Sequence, residues 1–261
     1  MSADLLAPPI TALHALDATL CAQGHAVLDA AGVLALLGLP ERAALDAIAP
    51  LWDDLPPDAW LRDGGRYRRR RHGCFIVRGS AIEAVAHRAH FQPVEYNALH
   101  GGIERWFEPL DARMVSAPIW PRLLVALAAR ASALKGEQPW YIEAHPFRID
   151  TTGGIGRPTP EGAHRDGVDL VAVMLVARVG IRGGETRVFD ATGPRGIRFT
   201  LAEPWTLLLL DDARVIHETT PIQPLDAARL GHRDTLVLTF RASRFQGPIK
   251  SIPHATKRVE N

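Results

Sequence analysis

The stretch "PEGAHRDGVDL", Pro160 to Leu170, sets His164 and Asp166 two positions apart in a short turn flanked by glycines. An imidazole and a carboxylate so placed can ligate a metal ion. Two histidines and one carboxylate make the facial triad of non-haem Fe(II) sites, which leaves coordination positions open for reactants. The third ligand has to come from elsewhere in the chain. Three histidines follow Asp166: His217, His232 and His254. His217 ends "PWTLLLLDDARVIH", which reads as a strand, a tight turn at Asp211-Asp212 and a second strand. A hairpin of that kind can return His217 to the end of a barrel that carries the His164 turn. His232 follows a glycine in a loop and His254 lies in the tail, so both are weaker candidates. A single histidine is more often structural than ligating; the signal is the combination of H-x-D with a strand-borne histidine.

A second chemical feature follows in "GHRDTLVLTFRA", Gly231 to Ala242. With period-two alternation, Arg233, Thr235, Val237, Thr239 and Arg241 share one face of a strand. An arginine and a hydroxyl two residues apart, pointing into a barrel, suit a buried carboxylate: a bidentate fork plus one further donor. The alternative is an edge strand that shows Arg233 to solvent.

These residues need a scaffold. From about Pro139 the chain is a series of short apolar segments: "WYIEAHPFRI", "DLVAVMLVARV", "ETRVFDA", "GIRFTLA", "PWTLLLLD", "RVIHETTPI" and "TLVLTFRA". Turn chemistry breaks them at Gly153-Gly154, Gly183-Gly184, Gly193-Pro194, Asp211-Asp212 and Gly231. No helix-length segment separates them, so an antiparallel barrel or jelly roll is expected rather than βαβ units. The first half is mixed. "GHAVLD" reads as a strand, and Asp29 caps "AAGVLALLGL", which stops at Pro40. "ERAALDAIAPLW" has a helical pattern, and "RYRRRRHGCFIVRG" alternates like a strand whose run Arg68 to Arg71 reads as a solvated face. The segment from Gly101 to Leu134 has helical spacing, with Leu123, Leu124, Leu127 and Ala128 on one stripe.

Composition excludes several classes. At 261 residues and 47% hydrophobic, the chain can bury a full core. A formal net charge of +1 gives no footprint for nucleic acid or an anionic membrane. The longest apolar run, Leu170 to Ala177, is too short to span a bilayer, and the N-terminus lacks the pattern of a signal peptide. Two cysteines, Cys21 and Cys74, make neither a disulfide framework nor a zinc site. A cytoplasmic protein with reduced thiols and a small-molecule substrate is expected; nothing bears on its oligomeric state.

In combination, "PEGAHRDG", "GGETRVFD", "LLLLDDARVIHETTPI" and "GHRDTLVLTF" resemble the Fe(II)/2-oxoglutarate dioxygenases that include the bacterial L-isoleucine 4-hydroxylase, and "VEYNALHGGIERWFEPL" resembles that family's first half. The resemblance covers roughly Gly24 to Ala242 and is loosest before residue 60. It implies a mainly β chain with flanking helices and a double-stranded β-helix core. A mixed α/β region (1–135) would pack on a catalytic core (136–245) followed by a tail (246–261). It also implies iron held by His164, Asp166 and His217, 2-oxoglutarate anchored by Arg233 with Thr235, and O₂ as oxidant. The expected reaction is hydroxylation of a small free L-amino acid, an aliphatic one, with release of succinate and CO₂.

Two rival readings stay open on the residues. A cupin-like enzyme could use the same triad for zinc or manganese, but it would leave Arg233 and Thr235 without a role. A non-catalytic ligand-binding β-domain would leave the triad empty. In "EAHPFRID", His145 and Arg148 could stand at the barrel mouth, with Arg148 meeting a substrate carboxylate or, alternatively, making a strand-end salt bridge. Asn97 and His100 in "YNALHGG" read as packing residues at a turn.

Overall fold

Two long strands organise the molecule, because each sends alternate side chains to opposite layers. The computed structural model describes residues 5–248; most of the expected tail, His254 included, lies outside the described residues. The strands are β1 (His25–Leu28), β2 (Arg68–Arg70), β3 (Gly73–Arg78), β4 (Ala81–Ala84), β5 (Trp140–Asp150), β6 (Leu170–Val179), β7 (Ile181–Gly183), β8 (Thr186–Asp190), β9 (Gly196–Phe199), β10 (Leu207–Asp211), β11 (Val215–Thr219), β12 (Ile222–Pro224) and β13 (His232–Ala242). The helices are α1 (Leu16–Gln23), α2 (Ala30–Leu37), α3 (Ala43–Asp46), α4 (Ala112–Ser116) and α5 (Ile119–Lys135).

The large sheet is antiparallel and runs β1-β10-β6-β13-β5-β3-β4, with β2 also pairing β5. A smaller sheet, β11-β8-β9, and the ribbon β12-β7 complete the jelly roll. Residues before 136 therefore supply four strands of the large sheet: β1 pairs β10, while β2 and β3 share β5. Among the described residues no helix is long and apolar enough to cross a membrane.

One face of the large sheet packs on helices. Ile142 and Ala144 of β5 and Leu236, Leu238 and Phe240 of β13 are buried with Leu123, Leu124, Leu127 and Ala128 of α5. The stripe expected in α5 is its buried face. Asp29 caps α2 by accepting from Gly32 N at 2.8 Å, and the helix ends at Gly38 with φ 62° rather than running to Pro40. Two expected helical stretches are shorter than their patterns. "ERAALDAIAPLW" gives only α3 and a 3₁₀ turn over Ala49–Trp52, because Pro50 cannot donate within a continuing helix. Between Gly101 and Leu110 there is no helix, and Asp111 caps α4 instead.

The same face carries Arg148, which corrects the expectation that it meets substrate. On β5 it stands opposite the cavity and forks onto Asp234 of β13 at 2.8 and 2.7 Å, with Asp53 also at 2.8 Å. Asp234 is 2% exposed, so the pair latches β5 to β13 on the helix side. Beside it, Trp52 Nε1 donates to Phe147 O and Thr235 O, both at 3.1 Å. Arg148→Met should strand the buried Asp234 and cost about 3 kcal/mol of unfolding free energy, read by denaturant titration. The apparent KM for any substrate should stay unchanged; a raised KM at unchanged stability would return Arg148 to the site.

Candidate active site

The opposite face of β5 and β13 looks into a cavity of about 870 Å³ that is open to solvent. At its mouth, His164 and His217 are directly paired across two chain segments. His164 N donates to His217 O at 3.0 Å, and His217 N donates to His164 O at 2.9 Å. A hydrogen-bonded antiparallel pair points both side chains the same way, and the imidazole centroids lie 4.6 Å apart. Asp166 completes the group, with Oδ1 3.7 Å from His164 Nε2 and Oδ2 3.7 Å from His217 Nε2. All three donor atoms fall within 4.8 Å of one another. Ligands held at about 2.0–2.2 Å from one ion are separated by comparable distances, so the donor set fits a small divalent cation.

The turn that carries Asp166 is clamped from below. Asp212, in the β10–β11 turn, accepts from Asp166 N, Gly167 N and Val168 N at 2.9, 2.7 and 3.0 Å. Gln246 Nε2 donates to Asp166 O and Gly167 O at 3.0 and 2.9 Å. Gly167 has φ 74°, and a Cβ there would meet the Tyr96 ring at 2.4 Å, so only glycine lets the chain bend away after Asp166. His164 Nδ1 stands 2.9 Å from Gly162 O. Donation to that carbonyl leaves the Nε2 lone pair facing Asp166. Gln92 Nε2 donates to Asp166 Oδ1 at 3.1 Å.

The electrostatics suit a cation. Burial works against a charge on His164, but Asp166 and Glu161 raise it to about 10. His217 falls to about 4 through burial and the neighbouring His164. Burial also opposes a charge on Asp166, yet the two histidines hold it down at about 2. One carboxylate thus attracts one proton into the group, the position that a metal ion would take over.

Arg233 lines the cavity from β13 and is 4% exposed, with Nε lacking a partner among the described residues. Burial and the nearby Arg178 lower it to about 10. Thr235, 2% exposed, shares its face, and β13 lies between β6 and β5, so the alternative of an edge strand showing Arg233 to solvent is excluded. Arg241, on the same alternation, lines a separate small pocket beside Asp166 and Phe245. His232 begins β13 with Nε2 3.5 Å from Asp234, outside the triad.

The other half of the cavity is built by residues for which the sequence suggested no site role. Arg68 and Arg70 of β2 pair with Ile149 and Phe147 and face inward with them, so the arginine run is not a solvated face. Asp58 anchors Arg68 at 2.6 Å. Arg70 lies between the rings of Phe107 and Phe147, 3.8 and 4.4 Å from their centroids. Arg105 donates to Gln92 Oε1 at 2.9 Å, and Asn97 donates to the same oxygen at 3.1 Å. Gln92 therefore connects Arg105 to Asp166. His100 is fully buried and packs as expected, its N donating to Asn97 Oδ1 at 2.7 Å. A side chain in this half would meet guanidinium, imidazole and amide groups interleaved with Phe147 and Ile149.

His145 does reach the cavity, as part of a buried group with His72, His90 and Glu143. Glu143 Oε2 lies 2.5 Å from His90 Nδ1, 3.6 Å from His72 Nε2 and 3.7 Å from His145 Nε2. Four donors in that arrangement invite a second metal, but Arg70 stands 2.6 Å from His145 Nδ1. A guanidinium only donates, so Nδ1 must accept and the ring proton sits on Nε2, facing Glu143. That tautomer cannot ligate through Nε2. The group is a hydrogen-bonded support for Arg70, in which burial holds His90 down at about 4.

A jelly roll with a two-histidine, one-carboxylate cluster at one end and a buried arginine deeper in the cavity has the build of an iron- and 2-oxoacid-using oxygenase. Residues 49–239 match the model of the 2OG-Fe dioxygenases, and the chain belongs to that family. It is thus an Fe(II)- and 2-oxoglutarate-dependent oxygenase, with O₂ as co-reactant. A solved bsmA homolog from Methylobium petroleophilum PM1 is 56% identical over 93% of this chain and 98% of its own, with a TM-score of 0.87. Two more distant structures share the fold. IDO from Bacillus thuringiensis is 16% identical, with 92% and 100% coverage and a TM-score of 0.72. The Fe(II)/(alpha)ketoglutarate-dependent dioxygenase TqaL is 22% identical, with 92% and 90% coverage and a TM-score of 0.69. No curated protein sequence matches the chain.

The Asp212 clamp can be tested without assigning a substrate. Asp212→Ala leaves three backbone N–H groups without their acceptor and frees the Asp166 turn. Affinity for a divalent cation should fall by about 10- to 100-fold, measured by anaerobic calorimetry. Unchanged affinity would show that the turn holds its shape without the clamp.

Proposed function

We propose that this oxygenase hydroxylates a small free L-amino acid, with His164, Asp166 and His217 holding the iron and Arg233 with Thr235 anchoring 2-oxoglutarate. When bound, iron and 2-oxoglutarate together supply an oxidant able to take hydrogen from an unactivated C–H bond, as the 2-oxoglutarate is split to succinate and CO₂. The chain's contribution is positioning. Three protein ligands leave three positions of an octahedral ion for reactants. Arg233 offers a fork to the distal carboxylate from deep in the cavity, and Thr235 adds a donor on the same strand face. Val171 and Val173 of β6, paired with Thr239 and Val237 of β13, give the cavity apolar lining further along the same strand.

One observation carries the amino-acid reading. Glu161, whose Oε2 is buried without a partner among the described residues, lies 3.5 Å from His164 Nε2 in a cavity that also presents Arg70 and Arg105. A carboxylate beside the metal group and guanidiniums beyond it complement the ammonium and carboxylate of a zwitterion. The motif resemblance to the L-isoleucine 4-hydroxylase group points the same way for the amino-acid backbone. For the side chain, the cavity offers both apolar residues, Phe147 and Ile149 among them, and the guanidiniums of Arg68, Arg70 and Arg105.

Three outcomes test this reading. Anaerobic Fe(II) and 2-oxoglutarate should give the weak visible band of the chelate, and His217→Ala should abolish both band and turnover. Arg233→Ala should raise the apparent KM for 2-oxoglutarate by one to two decades, since a hydrogen bond to a charged group contributes roughly 1.5–3 kcal/mol. Arg233→Lys should recover only part, because an ammonium cannot make the fork. Finally, among the twenty free amino acids, at least one should stimulate succinate formation and gain one oxygen by mass spectrometry. Stimulation by a peptide alone would keep the iron chemistry and remove the free amino acid.

A further inference from the structure

Three guanidiniums, Arg68, Arg70 and Arg105, converge on the substrate half of the cavity from two separate segments, yet only Arg68 touches a carboxylate. They are 6%, 4% and 2% exposed, so little of each guanidinium is hydrated. Each keeps a buried donor without an acceptor among the described residues: Arg68 Nη2, Arg70 Nε and Arg105 Nε. Neutral groups fix the two unpaired guanidiniums. Arg70 is held by His145 and the Phe107–Phe147 sandwich, and Arg105 by Gln92.

The other carboxylates in the region do not supply the missing charge directly. Glu143 is turned onto His72, His90 and His145, with the His145 ring between it and Arg70. Glu161 lies against His164. Isolated buried cations are costly unless paired, and two of them in one cavity repel each other. The arrangement is sustained by support from behind, Arg70 by the Glu143 group and Arg105 by the Gln92–Asn97 pair, and that support fixes both guanidiniums in place.

We propose that the substrate is an acidic amino acid, whose side-chain carboxylate and α-carboxylate are both read by the Arg68–Arg70–Arg105 face. This rests on the amino-acid reading above and replaces its open side chain with a specific class. The α-carboxylate alone would satisfy one guanidinium and leave a second facing the side chain. An apolar side chain there would desolvate it without compensation. A carboxylate on a chain of one or two methylenes gives the second guanidinium its acceptor. Glu161 is left for the ammonium, and the methylenes between the two carboxylates are the C–H bonds presented toward His164 and His217. The hydroxylation balances as for any such oxygenase: one oxygen atom of O₂ enters a C–H bond of the substrate, and the other enters succinate.

The test loads the protein anaerobically with Fe(II) and saturating 2-oxoglutarate and titrates L-aspartate, L-glutamate, L-leucine and L-isoleucine, reading heat and the chelate band. Aspartate or glutamate should bind at least tenfold tighter than either aliphatic amino acid while the band persists. Arg70→Gln and Arg105→Gln should each remove most of that preference; retention of the chelate band reports that the variant is folded. Equal or tighter binding of leucine or isoleucine overturns the proposal. So does binding of none of the four, or loss of the band on adding glutamate, which marks displacement of 2-oxoglutarate. Failure of the band to form defeats the oxygenase site itself. In that case the same four titrations on the metal-free protein still read the preference.

Discussion

The antiparallel pairing of His164 with His217 is the constraint on which the site depends. Two backbone hydrogen bonds between segments fifty-three residues apart place both imidazoles on one side, before any metal acts on them. This isolated antiparallel bridge holds main chain to main chain, which is less easily displaced than a contact between flexible side chains. The β10–β11 turn that delivers His217 also delivers Asp212 beneath Asp166. Its neighbour Asp211 accepts from Lys135 at the end of α5 at 2.8 Å. One tight turn therefore ties the ligand cluster to the helix layer.

Alternation along β5 and β13 lets the same residues' neighbours do unlike things. On β13, Arg233 and Thr235 look into the cavity while Asp234 looks out to the Arg148 latch. On β5, His145 and Phe147 face the cavity and Glu143 the small pocket beside it, while Ile142 and Ala144 join the α5 core. A slip of one residue in either strand would exchange a buried guanidinium for an apolar core residue, so the register is specified from both faces. The β6–β13 pairing shifts between Asp234 and Thr235, a local irregularity between the arginine and the threonine of the deep slot.

Most of the all-β half was legible in sequence because short apolar runs bounded by glycine and aspartate turns have few other solutions. The juxtaposition of His164 and Asp166 was legible for a related reason: two side chains with one residue between them need only a bend to meet. Arg68 and Arg70 were not, since arginine reads as exposed until a buried partner such as Asp58 or Phe107 is known, and these come from elsewhere in the chain. Gln92 and Arg105 lie in irregular chain between β4 and α4, where no periodicity marks a buried face. Arg148 misled in the opposite direction. Its strand was right, but its side chain lies on the face that pairs with Asp234. The available signal was parity: Arg148 is out of phase with His145 on the same strand.

The distribution of charge then explains how one cavity could order two small molecules around one metal. On the proposed reading, guanidiniums stand at both far ends, Arg233 for the cosubstrate and Arg70 with Arg105 for the substrate, and the metal cluster lies between. Each ligand is held by a carboxylate away from the reacting atoms, which leaves the rest of the molecule to face His164 and His217. Holding both molecules this way converts an encounter of three partners into a local event, the source of much of the rate an enzyme can gain from positioning. It also makes the polar lining a requirement of the chemistry: end-anchoring works only if the guanidiniums cannot swing. Arg70 is locked between two aromatic rings and against His145, and Arg105 is held by Gln92. Gln92 also donates to Asp166, so the amide that holds Arg105 in place holds the carboxylate of the metal-binding candidate as well.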